Sequence, residues 1–167
     1  MLALFLWLWL ASPAAEQPSA ARPAMAAAVA VPKPAATSTC PVCGMFVAKY
    51  PQWVATVVWR DGTAAHFDGA KDMFTYVLTL GTYAKGRAAT GIATIAVTEF
   101  YDLRTIDARE AYYVVGSDVL GPMGREFIPL ATRADAAEFL RDHDGSAILT
   151  FTQVTLQVVR EVDEGRR

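Results

Sequence analysis

Apolar and polar positions along this chain fall into two alternating regimes, and their order sets the expected fold. Trp53 to Trp59 (WVATVVW) is dense in β-branched and aromatic residues and reads as a strand. Asp61-Gly62 supplies the dipeptide of a type I′ hairpin turn, and Thr63 to Phe67 returns as a second strand. Asp68 stands where an N-cap belongs, and Ala70, Met73, Phe74, Val77 and Leu78 follow at i, i+3, i+4, i+7 and i+8. That spacing predicts an amphipathic helix over 69–79. Gly81 to Gly91 reads as a connection, and Ile92 to Phe100 as a third strand.

A similar order then recurs. Tyr112 to Val115 reads as a strand, Gly116 to Gly124 as a glycine-rich connection, and Arg125 to Pro129 as a short strand. Thr132 with Asp135 forms a capping-box-like start for a helix over 133–143, and Ala147 to Leu156 closes as a strand. The pattern predicts an α+β protein of two similar ββαβ lobes packed as one compact unit. The lobes are placed at 39–100 and 101–160, with 161–167 as a C-terminal tail.

The segment before residue 39 follows neither regime. Residues 1–11 (MLALFLWLWLA) form an apolar run of signal-core length, short of the roughly 20 residues that span a bilayer. Ser12 and Ala14 satisfy a small-residue cleavage rule, although the first basic residue is Arg22. Residues 1–15 are therefore expected to be a signal peptide or an N-terminal anchor. Residues 11–37 hold twelve Ala and five Pro, so 16–38 reads as a semi-rigid extended linker.

Composition mainly excludes. The chain has 167 residues, 53% of them hydrophobic, and a formal net charge of −2. That is enough apolar material for a real core and too little positive charge for a nucleic-acid or membrane-surface binder. No nucleophile–base pair or carboxylate dyad is legible, so no enzyme is expected.

The candidate chemistry lies in Cys40-Pro41-Val42-Cys43-Gly44-Met45, which holds both cysteines of the chain and a thioether. Soft sulfur donors at this density suit Cu(I). Cys43 and Met45 converge on one side if the segment is a strand, and Gly44 lets it wrap around an ion if it is a loop. Met123, in Gly121-Pro122-Met123-Gly124, sits on a turn and is a candidate further donor. A thiol–disulfide site is the alternative, but the residues after Cys43 are poor helix starters and no thioredoxin-like pattern precedes them. Structural zinc lacks donors, since only two Cys exist and His66 and His143 are lone. Met73 reads as core.

CPVCGM, followed by the hairpin, HFDGAKDMF and VTEFYDLRTIDAREAYYVVGSDVLGPMGREFIP, resembles the NosL family of copper accessory proteins of nitrous oxide reductase maturation. The resemblance covers 39–160 and implies an exported, non-enzymatic protein that binds one Cu(I). It implies as partners nitrous oxide reductase and a periplasmic repeat protein coupled to an ABC transporter. The copper-ligand candidates carried over by position are Cys43, Met45 and Met123, with Cys40. Such proteins usually carry a lipobox cysteine, whereas no Cys falls between residues 1 and 39 here. A free periplasmic location, or anchoring through residues 1–11, is expected instead of lipidation. CPVCGM with HFDGAKDMF also resembles a YHS-type metal module, but Asp68, Lys71 and Asp72 stand where that module expects further cysteines.

Overall fold

The computed structural model describes residues 25–167. The apolar run 1–11, the expected cleavage region and the first part of the Ala/Pro-rich stretch lie outside the described residues. Among the described residues, no helix is long and apolar enough to cross a membrane.

Four antiparallel strands form the first sheet: β1 (Ala55–Trp59), β2 (Ala64–Phe67), β3 (Ile92–Thr98) and β4 (Thr105–Asp107), in the order β2-β1-β3-β4. The β1–β2 hairpin is present, but its turn differs from the expected type I′. Gly62 N–H donates to the Trp59 carbonyl at 2.9 Å and Trp59 N–H donates to that of Thr63 at 2.8 Å. Gly62 alone in this loop has a positive φ, 84°, whereas type I′ requires two such residues. The connection is therefore a type I turn closed by a bulged glycine. Asp61 Oδ1 secures it by accepting from Thr63 N–H at 3.0 Å. Trp53 belongs to a single 3-10 turn, Pro51–Trp53, rather than to the strand, because Pro51 presets the turn's first position.

Helix α1 (Ala70–Leu78) follows β2, with Gly69 at its N-cap and no side-chain cap. Asp68, the expected cap, is turned elsewhere. Met73 and Phe74 are buried as the periodicity predicts, but so are Lys71, Asp72 and Tyr76, while Leu78 is exposed. The helix is covered on more than its apolar stripe because its first turn also meets the cysteine loop and the second half of the chain. A short helix α2 (Leu80–Tyr83) lies in the expected connection.

The second half contributes β5 (Tyr112–Val115), a small hairpin of β6 (Leu120–Gly121) and β7 (Gly124–Arg125), then β8 (Ile128–Leu130). Helix α3 (Arg133–Asp142) and β9 (Ala147–Thr150) follow, and the sheet order is β8-β5-β9. Thr132 caps α3 as expected, its Oγ1 accepting from Asp135 N–H at 3.0 Å. Alternation along β5 divides its side chains between two layers. Tyr112 and Val114 face Phe139 of α3, and Tyr113 and Val115 join the cluster that holds Met73 and Phe74. Phe74 lies edge-on to Tyr113, with centroids 4.9 Å apart, and packs on Phe127 at 5.1 Å. One apolar cluster is thus shared by both sheets.

The closing strand ends early. Residues after Thr150 form a 3-10 turn and then helix α4 (Leu156–Asp163), where a strand to Leu156 and a tail from 161 were expected. Thr155 caps α4 by accepting from Val158 N–H at 3.3 Å, and Val159 and Val162 are buried one turn apart. β4 was likewise unexpected, and it extends the first sheet beyond Phe100. Residues 27–29 run along its edge. Ala28 bridges Ile106, Val29 N–H donates to the Thr105 carbonyl at 3.1 Å, and Ala26 is buried.

Candidate metal site

Cys40 to Met45 form a closed knuckle. Thr39 and Phe46 make an antiparallel bridge at its base, and Cys40 N–H donates to the Met45 carbonyl at 2.8 Å. Gly44 N–H donates back to the Cys40 carbonyl at 2.9 Å, with Gly44 at φ 81°, a region that favours glycine. Main-chain N–H groups of Cys43 and Val42 point at the Cys40 sulfur, and that of Met45 points at the Cys43 sulfur. The segment is therefore a loop, and strand alternation does not place Met45 beside Cys43.

The junction of β2 and α1 packs against this knuckle and supplies two carboxylates. Cys40 Sγ donates to Asp72 Oδ2 at 3.1 Å, and Cys43 Sγ donates to Asp68 Oδ1 at 3.1 Å. One donor atom from each of the four residues lies within 4.8 Å of the others. Cys40, Asp68 and Asp72 are buried, whereas Cys43 is half-exposed and forms the open side. Asp68 Oδ2 is buried with no hydrogen-bond partner among the described residues. A buried carboxylate oxygen left unpaired costs stability, and a bound cation satisfies it.

Both thiols are held in the protonated form. Burial is the main cause for each, and the carboxylates add to it. Cys43 is pushed up to about 12 by desolvation and by the Asp72 and Asp68 acceptors. Cys40 is pushed up further by deeper burial and the Asp72 charge. The N–H groups aimed at the sulfurs oppose this shift without overcoming it.

The second half approaches the site through the β6–β7 hairpin, with Met123 at the expected turn. Met123 is half-exposed and lines a cleft of about 450 Å³ together with Val42, Lys71 and Asp72. Lys71 Nζ donates to the Met123 carbonyl at 3.1 Å and pairs with Asp163 Oδ1 of α4 at 2.6 Å. Glu126, fully buried just after β7, accepts from Lys71 N–H at 2.6 Å and from Phe127 N–H at 2.8 Å. It thereby caps α1 from across the molecule, the role expected of Asp68. Gly69 permits this approach, since a Cβ there would lie 2.0 Å from Glu126 Oε2. Burial pushes the Glu126 carboxyl up to about 8.

Of the sequence-derived candidates, Cys40 and Cys43 come together, Met45 lies half-buried in the same knuckle, and Met123 faces the shared cleft. His66 is hydrogen-bonded to Thr56 Oγ1 at 3.0 Å, and His143 pairs with Asp118 at 3.0 Å and stacks on Phe139. Neither histidine belongs to the cluster around the cysteines. In the sequence Asp68 reads as a helix cap, and Asp72 carries no role of its own. The one signal for them was their place where a YHS-type module carries cysteines.

Fold and site together define a small α+β protein with a Cys/Asp candidate metal site between the cysteine loop and the start of α1. The NosL family model matches residues 31–159, and the chain belongs to the NosL family. The crystal structure of the copper chaperone NosL from Shewanella denitrificans has the same fold. Its TM-score is 0.64 at 22% identity, over 77% of this chain and 97% of that one. The solution structure of apo-NosL from Achromobacter cycloclastes is 26% identical over 63% of this chain and 87% of that one, with a TM-score of 0.45. No curated protein matches the chain. NosL is a family of copper chaperones and not of enzymes.

Proposed function

We propose that this protein is a periplasmic metallochaperone that carries Cu(I) as cargo and delivers it for nitrous oxide reductase assembly. The observation that carries the reading is a knuckle presenting two thiols, one half-exposed, beside a cleft that Met123 also lines. Cys43 is the principal ligand in this reading, with Cys40, Met45 and Met123 as further sulfur donors. Thiolate and thioether match a soft monovalent ion. A site open on the Cys43 side lets an acceptor's donors enter before the original bonds break, which is what transfer requires. Nitrous oxide reductase and a periplasmic assembly protein coupled to an ABC transporter are the proposed partners, by likeness to the family.

Competition against a Cu(I) chelator tests the reading. The reduced protein is expected to retain Cu(I), Cys43→Ser to lose it almost completely, and Met45→Ala or Met123→Ala to weaken it with the fold intact. Unchanged affinity in Cys43→Ser would overturn the assignment. A thiol–disulfide oxidoreductase is disfavoured because reactive thiols need a lowered pKa, and Cys43 is pushed up to about 12.

The two carboxylates support a second reading of the same cluster. Cys40, Cys43, Asp68 and Asp72 are a mixed sulfur–oxygen set, which suits a borderline divalent ion such as Zn²⁺. Asp68 and Asp72 complete a four-donor set that two cysteines and two lone histidines do not offer. Metal analysis of the purified protein before and after Cu(I) loading separates the readings. A tightly held divalent ion, with no Cu(I) retained, would favour the second.

A further inference from the structure

We propose that Lys71 is a positioning residue that fixes the Met123 hairpin beside the cysteine knuckle. The inference rests on the copper reading above, in which Met123 is a donor.

Lys71 lies on the first turn of α1, directly before Asp72, whose carboxylate accepts from Cys40. Its bonds reach two segments of the second half, the 123–126 stretch and α4. The main-chain N–H donates to Glu126 Oε1 at 2.6 Å, and Nζ donates to the Met123 carbonyl at 3.1 Å and to Asp163 Oδ1 at 2.6 Å. The residue is 5% exposed, so an ammonium group has been taken largely out of water to make these bonds. Such burial adds little net stability, because an apolar side chain of similar volume generally serves as well. What the ammonium provides that an apolar group does not is a directed bond to one carbonyl, and that carbonyl belongs to Met123.

The hairpin needs such a tie. β6 and β7 have two residues each and pair only with one another. A two-stranded ribbon of that length does not hold its own shape in water. The Lys71 bond anchors its tip to the helix whose first turn faces the thiols. Asp163, though largely exposed, holds the ammonium from the other side. Lys71 thus sets the separation of Met123 from the knuckle without itself being a ligand.

A double-mutant cycle with Lys71→Met and Met123→Ala tests this in the full-length protein. Cu(I) affinity is read by chelator competition, and the apo protein is followed by the ¹³C-methyl resonance of Met123. Lys71→Met is expected to weaken Cu(I) binding about tenfold, to shift the methyl resonance, and to cause no further loss in the Met123→Ala background. Lys71→Arg, which keeps a donor, is expected to recover most of the affinity. Equal losses in both backgrounds, or an unmoved methyl resonance in Lys71→Met, would overturn the proposal. If the wild type does not retain Cu(I), the copper reading fails by itself, and the methyl shift still decides whether Lys71 positions the hairpin. Should Lys71→Met fail to fold, Asp163→Asn loosens the same ammonium at an exposed position. A methyl shift there supports the proposal, and an unmoved resonance overturns it.

Discussion

Cys43 Sγ faces Asp68 Oδ1 at 3.1 Å, and the second oxygen of that carboxylate is buried and unbonded among the described residues. A thiol beside a buried carboxylate resists ionisation, because the thiolate would be both desolvated and repelled. Both thiols therefore carry their protons, and any cation bound through them displaces a proton.

Neutralising that carboxylate separates its contribution from burial. Asp68→Asn is expected to lower the Cys43 pKa from about 12, though not to an ordinary thiol value, since burial is the larger cause. Thiolate absorbance near 240 nm, titrated in a Cys40→Ala background, reads the shift. An unchanged midpoint would mean that Asp68 does not bear on the thiol.

Cu(I) affinity is expected to rise with pH. With both thiols held protonated at neutral pH, every thiolate bond to the ion releases a proton. Below the thiol pKa, the logarithm of the apparent affinity climbs by about one per pH unit for each thiol that binds. Chelator competition between pH 6 and 8 therefore counts thiols. A slope near two places both cysteines on the ion, a slope near one places Cys43 alone, and a flat profile would sink thiolate ligation.

The elements legible in the sequence are those with a local cause. The β1–β2 hairpin, α1 and α3 follow from period, turn chemistry and, in α3, the Thr132 cap. α4 was hidden because Ala147 to Thr155 is rich in β-branched residues and pulled the reading into a longer strand. Yet Leu156, Val159 and Val162 recur every three residues behind a Thr that caps them. At the site, the cysteine knuckle was plain, whereas Asp68 and Asp72 were not. An Asp before a helix is ordinarily its cap, and here Glu126, 55 positions beyond Lys71, takes over part of that role through Lys71 N–H. Only tertiary packing frees Asp68 to face the thiol.

Phe74→Ala is expected to destabilise the protein by about 3–5 kcal/mol, the cost of an unfilled aromatic site. Phe74 meets Tyr113, Phe127 and Phe151, so the void would open where the two halves share their core. Urea unfolding followed by far-UV circular dichroism and by tryptophan fluorescence should show one coincident transition in both proteins. A loss below 1 kcal/mol would mean that the halves do not depend on this contact.

Glu126 gives the fold a pH dependence of the opposite sense to that of metal binding. Its carboxyl has an ordinary value of 4.5 and is pushed up to about 8 in the folded protein, chiefly by burial, with the Asp72 charge a smaller cause. Between those values the native protein holds a proton that the unfolded chain has already released. Stability therefore falls as pH rises from about 4.5 to about 8, by at most about 1.4 kcal/mol per pH unit, and stays low above that window. Glu126→Gln keeps an acceptor for the Lys71 and Phe127 N–H groups and cannot ionise. Its stability relative to wild type should accordingly increase between pH 5 and pH 9, as measured by urea unfolding at each pH. Parallel wild-type and variant curves across that range would show that the buried carboxyl does not titrate there.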